Sequence, residues 1–226
     1  CTEWIKRTPD PIEDLSQVVD RTSELPGDTI RIDVPEGPHF LYVMVRVQSF
    51  ACVINGAPGA AGSILNHLDA AAVRRYLDNM SDRIENRLGP LSDHIRALFT
   101  DSMELEGCNW TEDFAEEFLR RRGYDIMPWL PFTMFKVGRL GDVIDYNFGA
   151  KKGSDFEEKV NRARFDFELT KAELYRERFT ETYLQWCRDK GVKSRAQAYG
   201  RGFFPLESSL GYDIPEGESW TTNWLQ

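Results

Sequence analysis

Apolar positions along the chain fall into short unbroken runs separated by helix-spaced stripes. Phe40-Leu-Tyr-Val-Met-Val-Arg-Val47 is nearly continuous and β-branched, which predicts a buried strand. His94–Thr100 predicts a second short strand. Val192–Tyr199, where residues alternate, predicts a third, and Asp213-Ile-Pro-Glu216 a short fourth. Between them, Asp69 offers an N-cap, and Val73, Leu77, Met80, Ile84 and Leu88 recur at helical spacing up to Gly89-Pro90. Thr111 caps a helix with Phe114, Ala115, Phe118 and Leu119 on one face. Arg120–Arg122 complement its C-terminal dipole, and Gly123 ends it. One long helix is predicted over 156–190, with Phe165, Leu169, Ala172, Phe179, Tyr183 and Trp186 inward and Gly191 as its stop. Residues 12–19 predict a short helix. Residues 124–152, rich in Pro, Gly and aromatic residues, predict loop with short helical pieces.

Strands alternating with helices predict βαβ units and a parallel sheet, hence the α/β class. Irregular segments at the strand tips fit a (β/α)8 barrel of the TIM type. Only four or five strand candidates are present, so the expected barrel is incomplete. Residues 1–226 are read as part of one barrel domain, with 1–38 as an irregular lead-in. Cys1-Thr-Glu-Trp and Thr221–Gln226 look like the middle of something, so an internal fragment is expected, with the remaining domains of a longer chain as partners.

The formal net charge of -9 argues against a nucleic-acid partner, which would call for clustered Lys and Arg. No apolar run is long enough to span a bilayer, so no membrane partner is expected. Cys1, Cys52, Cys108 and Cys187 form no CxxC pair and have no metal-like spacing with the three His, so they read as free, buried thiols. There is no Gly-x-Ser-x-Gly elbow, Walker loop, His-Glu-x-x-His or Rossmann glycine fingerprint.

Candidate chemistry gathers in two acidic tips. Phe99-Thr-Asp-Ser-Met-Glu-Leu-Glu-Gly-Cys-Asn-Trp110 leaves the second strand with Asp101, Glu104 and Glu106, then reaches Trp110. Carboxylates beside an aromatic platform are equipment for cutting or holding a sugar. Acidic neighbours raise the pKa of one member and keep a proton available. The same run also reads as a solvated loop ahead of a helix. The second tip carries Glu216, Glu218 and Trp220, and it also reads as a surface turn. His67, after a Gly-rich loop, is either a packed structural residue or a ligand contact. Arg195 and Gln197 either hydrogen-bond sugar hydroxyls or make a structural ion pair with an acidic neighbour. Oxygen donors at these tips are also suited to Ca²⁺.

Several collinear motifs resemble glycoside hydrolase family 106. They are Asn55-Gly-Ala-Pro-Gly with Leu65–Leu77, Phe99–Thr111 with Glu117–Asp125 and Pro128–Pro131, Arg164-Phe-Asp-Phe167, Trp186-Cys187, Arg195–Gly200 and Asp213–Glu216. The resemblance implies α-L-rhamnosidase activity on glycans or plant glycosides, inversion of configuration, and Ca²⁺ at the sugar-binding site. It implies Glu104 as the acid and Glu216 as the base, with Glu218 as substitute. His67, Asp101 and Arg195 match motif positions and are candidates for sugar or metal contacts; from the strand tips themselves, Trp110, Gln197 and Trp220 are candidate substrate contacts and Glu106 a candidate metal ligand. Such an enzyme is expected in the periplasm or secreted. The other expectation is a non-catalytic carbohydrate-binding or structural fragment.

Overall fold

The computed structural model describes residues 10–217 except 26, 28, 35, 49–51, 54–57, 106–107, 135, 138–142, 146–148, 198–199 and 202–209. At 104, 136–137, 143–145 and 200–201 it describes backbone alone. The chain divides into two compact units. One comprises 1–46 with 115–167, the other 47–114 with 168–226.

The second unit holds a parallel sheet. Asp69 caps α1 (Ala70–Leu88) by accepting the amides of Ala71 and Ala72, and Gly89 takes the positive φ that closes its C-terminus. After a short 3-10 turn comes β1 (Ala97–Thr100), then β2 (Met103–Glu104). The unit resumes in the C-terminal part of α4 (Ser154–Tyr175). A five-residue π-turn, Arg176–Thr180, and α5 (Glu181–Asp189) follow. β5 (Lys193–Gln197), β6 (Gly200–Arg201) and β7 (Ile214–Glu216) complete it.

β1, β5 and β7 form a three-stranded sheet in that order, parallel throughout. Their register aligns Phe99 with Arg195 and Arg195 with Ile214. β2 and β6 pair in parallel beyond it, Met103 with Gly200 and Glu104 with Arg201. The second pairing begins three residues on from Thr100 but four on from Ala196, so the β5 side carries one extra residue at the sheet's C-terminal end. On the helix-facing side, Ser194 and Ala196 are buried. Tyr183 of α5 donates its hydroxyl to the Leu98 carbonyl at 2.6 Å. Trp186, fully buried, donates its indole N–H to Asp78 of α1 at 2.9 Å.

The first unit contains α2 (its residues from Ala115; Phe114–Arg122 overall), α3 (Leu130–Thr133), the antiparallel pair β3 (Lys136–Val137) and β4 (Val143–Asp145), and the start of α4. Phe132, Phe156 and Val160 form its core, flanked by Ile12, Leu15, Val18, Tyr42 and Trp129. Ile12 bridges Lys152, and the Tyr42 hydroxyl accepts the Ala150 amide at 2.7 Å.

The structure corrects three expectations from the pattern. Phe40–Val47 belongs to no strand among the described residues, and Leu41, Val43, Val45 and Val47 are exposed. An apolar run reads as strand only when neighbours exist to receive it, and here no described strand lies against it. The helix expected over 12–19 is a single 3-10 turn, Leu15–Gln17, held by an Asp14–Gln17 capping box. The long helix is broken by the π-turn, and Phe165, expected inward, is 66% exposed, whereas Ala163, Phe167 and Thr170 are buried. The predicted strands at 94–100, 192–199 and 213–216 are present in shortened form. Of Cys52, Cys108 and Cys187, all expected to be buried, Cys187 is buried, Cys108 half-buried and Cys52 exposed.

Candidate functional site

Ligands of parallel α/β sheets bind beyond the C-terminal ends of the strands. In the second unit that end is built by Thr100, Gln197 and Glu216. Alternation along β5 sets what it presents. Ser194 and Ala196 go to the helices, and Arg195 and Gln197 to the opposite face, where they are half-buried.

The start of β7 is pinned to β5 by a small ring of hydrogen bonds. Ser194 donates its amide and its hydroxyl to Asp213 Oδ2, at 2.7 and 2.8 Å, and the Asp213 amide donates back to the Ser194 hydroxyl at 3.0 Å. These bonds hold the Asp213 carboxyl below the usual aspartate range. They also fix the register that sets Glu216 beside Gln197.

Arg195 then reaches diagonally to Glu216. Its Nε and Nη2 donate to the two carboxylate oxygens, the latter at 3.0 Å, in a bidentate fork. The carboxylate raises the Arg195 pKa further above its ordinary value. The guanidinium also lies 4.6 Å from the centroid of the Phe99 ring, which is 42% exposed. Of the two sequence readings of Arg195, the ion pair is the one realised, and its partner is the carboxylate expected to be the base.

Asp101 is exposed and accepts the adjacent Ser102 amide at 2.8 Å. Trp110 is half-buried, with its ring 4.8 Å from Phe114. His67 is packed rather than open: its ring lies 4.8 Å from Phe179 and 6.4 Å from Tyr175. Among the described residues its buried Nδ1 has no hydrogen-bond partner. Burial disfavours its cationic form and lowers its pKa to about 4. Glu104 lies on β2, and its side chain is outside the described set. Glu106, Glu218 and Trp220 also lie outside the described residues.

A Ca²⁺ site calls for about six to eight oxygen ligands. Among the described residues no three His, Cys, Asp or Glu gather to hold a metal ion.

Sequence reasoning missed a second set of ties. Asn66 accepts the Leu68 amide at 3.0 Å and donates to the buried Thr111 hydroxyl at 3.2 Å. Arg178 on the π-turn donates to the Leu68 carbonyl at 3.0 Å and grips Asp113 with both terminal nitrogens, at 2.8 and 2.7 Å. The Asn66–Leu68 turn was open to prediction from Asn chemistry. The Arg178–Asp113 pair spans 65 residues and carries no local signal.

The model of the alpha-L-rhamnosidase family, glycoside hydrolase family 106, matches residues 5–226. The chain belongs to that family. A solved rhamnosidase from Novosphingobium sp. PP1Y is similar at 28% identity with a TM-score of 0.50, over 65% of this chain and 13% of that one. A protein of Formosa agariphila named "Putative beta-glucuronidase" is 24% identical over 164 residues, 72% of this chain and 13% of its own length. The chain thus spans about an eighth of each of these relatives. That family is one of glycosidases. No helix among the described residues is long and apolar enough to cross a membrane.

Proposed function

We propose that this chain is the part of an α-L-rhamnosidase barrel that carries its acid and base, and that the longer protein releases terminal α-L-rhamnose with inversion. The observation that carries the reading is the family match over nearly the whole chain. The Arg195–Glu216 fork at the C-terminal end of a parallel sheet supports it. In this reading β1, β5 and β7 are consecutive strands of a (β/α)8 barrel completed by sequence outside the chain.

Glu104 protonates the departing oxygen. Glu216 draws the proton from a water on the opposite face of the sugar, with Glu218 as the substitute base. Inversion needs the two carboxyl groups roughly 6.5–9.5 Å apart to leave room for that water. Arg195 occupies one lone pair on each Glu216 oxygen and leaves the others for water, so it fixes the base without consuming it. Gln197, Asp101, Trp110 and Trp220 are the proposed sugar contacts. Calcium dependence, with Glu106 as a ligand, and a periplasmic or secreted location rest on the family resemblance alone. Loss of turnover in chelator, regained with Ca²⁺, is the expected sign of the metal.

The test is turnover of an aryl α-L-rhamnoside by the full-length protein and its Glu104→Gln variant, with the anomer of the first product read by NMR. A β-rhamnose product and loss of about 10²–10⁴-fold in kcat are expected. Turnover of an aryl β-glucuronide, and none of the rhamnoside, overturns the substrate. Rhamnose binding with no turnover favours a carbohydrate-binding fragment. Equal activity in parent and variant removes Glu104 from its role.

A further inference from the structure

Two segments that carry candidate sugar contacts are stapled together from one place. The first is the turn Asn66–Asp69, which holds His67. The second is Trp110–Asp113, which holds Trp110. Asn66 links them directly through the Thr111 hydroxyl. The π-turn Arg176–Thr180 links them again: Arg178 takes the Leu68 carbonyl of the first and the Asp113 carboxylate of the second. Its neighbour Phe179 puts its ring against the His67 imidazole. Two adjacent residues of one helix thus hold the backbone and the side chain of the same turn.

The π-turn is what permits this. Each residue of a regular α-helix turns by about 100°, and a π-turn inserts one residue without breaking the helix. Removing that residue rotates Arg178 away from the stapled segments or Phe179 away from the ring stack of Tyr175 and Tyr183. In this pair the Arg178 side chain is 20% exposed and the Asp113 side chain 42%. The guanidinium holds the Asp113 carboxyl below its usual range.

We infer that Arg178 is a positioning residue for the sugar site, a clamp that sets His67 and Trp110 relative to each other. The inference rests on the proposed rhamnosidase reading for its functional half, while its structural half is independent of it. It touches no substrate and acts through Leu68 and Asp113.

The experiment uses the full-length protein with Arg178→Met, Arg178→Lys and Asp113→Asn. The His67 ring is followed by NMR, and kcat and KM are measured on an aryl α-L-rhamnoside. The groups set against the imidazole are Tyr175 and Phe179, so loosening the clamp exposes the ring to water. In Arg178→Met the His67 titration midpoint is expected to rise from about 4 towards the ordinary 6.5. KM is expected to rise about tenfold with kcat within about threefold, the mark of lost positioning rather than lost chemistry. Arg178→Lys keeps one donor and restores part of both effects. If Arg178→Met does not fold, Asp113→Asn serves, with the same direction at smaller size.

A folded Arg178→Met with unchanged midpoint and unchanged KM overturns the clamp. A lowered Tm with an unchanged midpoint and unchanged KM assigns Arg178 a purely structural role and overturns it too. Absence of rhamnosidase activity in the parent strikes the proposed function alone, because the His67 midpoint still reads the clamp.

Discussion

The two faces of β5 differ in kind. Towards the helices the strand offers Ser194 and Ala196, small and buried, beneath Tyr183, Trp186 and Cys187. Burial lifts the Tyr183 phenol and raises the Cys187 thiol to about 11, so these two groups stay neutral across the physiological range. On the other side the strand offers Arg195 and Gln197, with Phe99 open beside them and a carboxylate across the sheet. One strand therefore divides its residues by parity. Even positions are settled by packing, and odd positions carry polar groups, one of them charged, that packing does not require. Charges left on an open face at the C-terminal end of a parallel sheet are placed for chemistry.

That contrast breaks first on the packed side. Trp186 fills the space between α5 and α1 and satisfies its N–H on Asp78. Trp186→Ala should cost about 3–5 kcal/mol in urea unfolding, because it leaves a cavity and an orphaned carboxylate partner. A cost near that of a surface substitution denies that this face is the structural one. The open side should respond in activity instead. Glu216→Gln is expected to cut kcat about a hundredfold on the aryl α-L-rhamnoside with little change in the unfolding midpoint. If Glu218→Gln produces that loss and Glu216→Gln does not, the base is reassigned one turn along the tip.

His67 belongs to the packed side in its electrostatics although it was a candidate ligand contact. Its pKa is lowered to about 4 by burial, so the neutral ring is the form that folding favours. The unfolded chain takes up the proton near pH 6.5, before the folded chain does. Stability from this group is complete above that value and is lost as the pH falls towards 4. The slope approaches roughly 1.4 kcal/mol per pH unit. Urea unfolding from pH 7 to 4 in parent and His67→Phe should diverge in that window. Parallel curves mean that the imidazole is solvated in the folded protein.

The element order was largely legible in the sequence, and the failures have physical causes. Caps and stops are local, so Asp69, Gly89, Gly123 and Gly191 bound their helices as read. Inward faces depend on phase. A regular period carried back from Trp186, Tyr183 and Phe179 lands on Ala172, Leu169 and Phe165. The π-turn interrupts that period, and the buried stripe before it runs through Leu174, Thr170, Phe167 and Ala163 instead. No propensity marks that interruption. Phe40–Val47 failed for another reason: its composition states what it prefers as a neighbour, not whether one is there. At the site, the carboxylates were legible by type and place. That Arg195 grips Glu216, and Arg178 grips Asp113, was not, because those pairs join residues 21 and 65 positions apart.

The smallest expected effect is the most discriminating. Arg195 and Glu216 are 44% and 29% exposed in their side chains, and such a pair contributes little to stability, about 0–1 kcal/mol. The contact with Phe99 adds about 0.5–1 kcal/mol at an exposed site. Arg195→Met keeps the aliphatic stem over the ring and removes only the fork. Its unfolding free energy should therefore fall by less than about 1 kcal/mol. Its rhamnosidase kcat should fall clearly, because Glu216 loses the group that orients it. Asp213→Asn supplies the control, since it loosens the Ser194 ring that sets the register while leaving the guanidinium in place. If Arg195→Met destabilises the fold as much as Trp186→Ala does, the fork is structural and the two faces of β5 are not divided between packing and chemistry. If it leaves both stability and turnover intact, Glu216 is held by something other than Arg195.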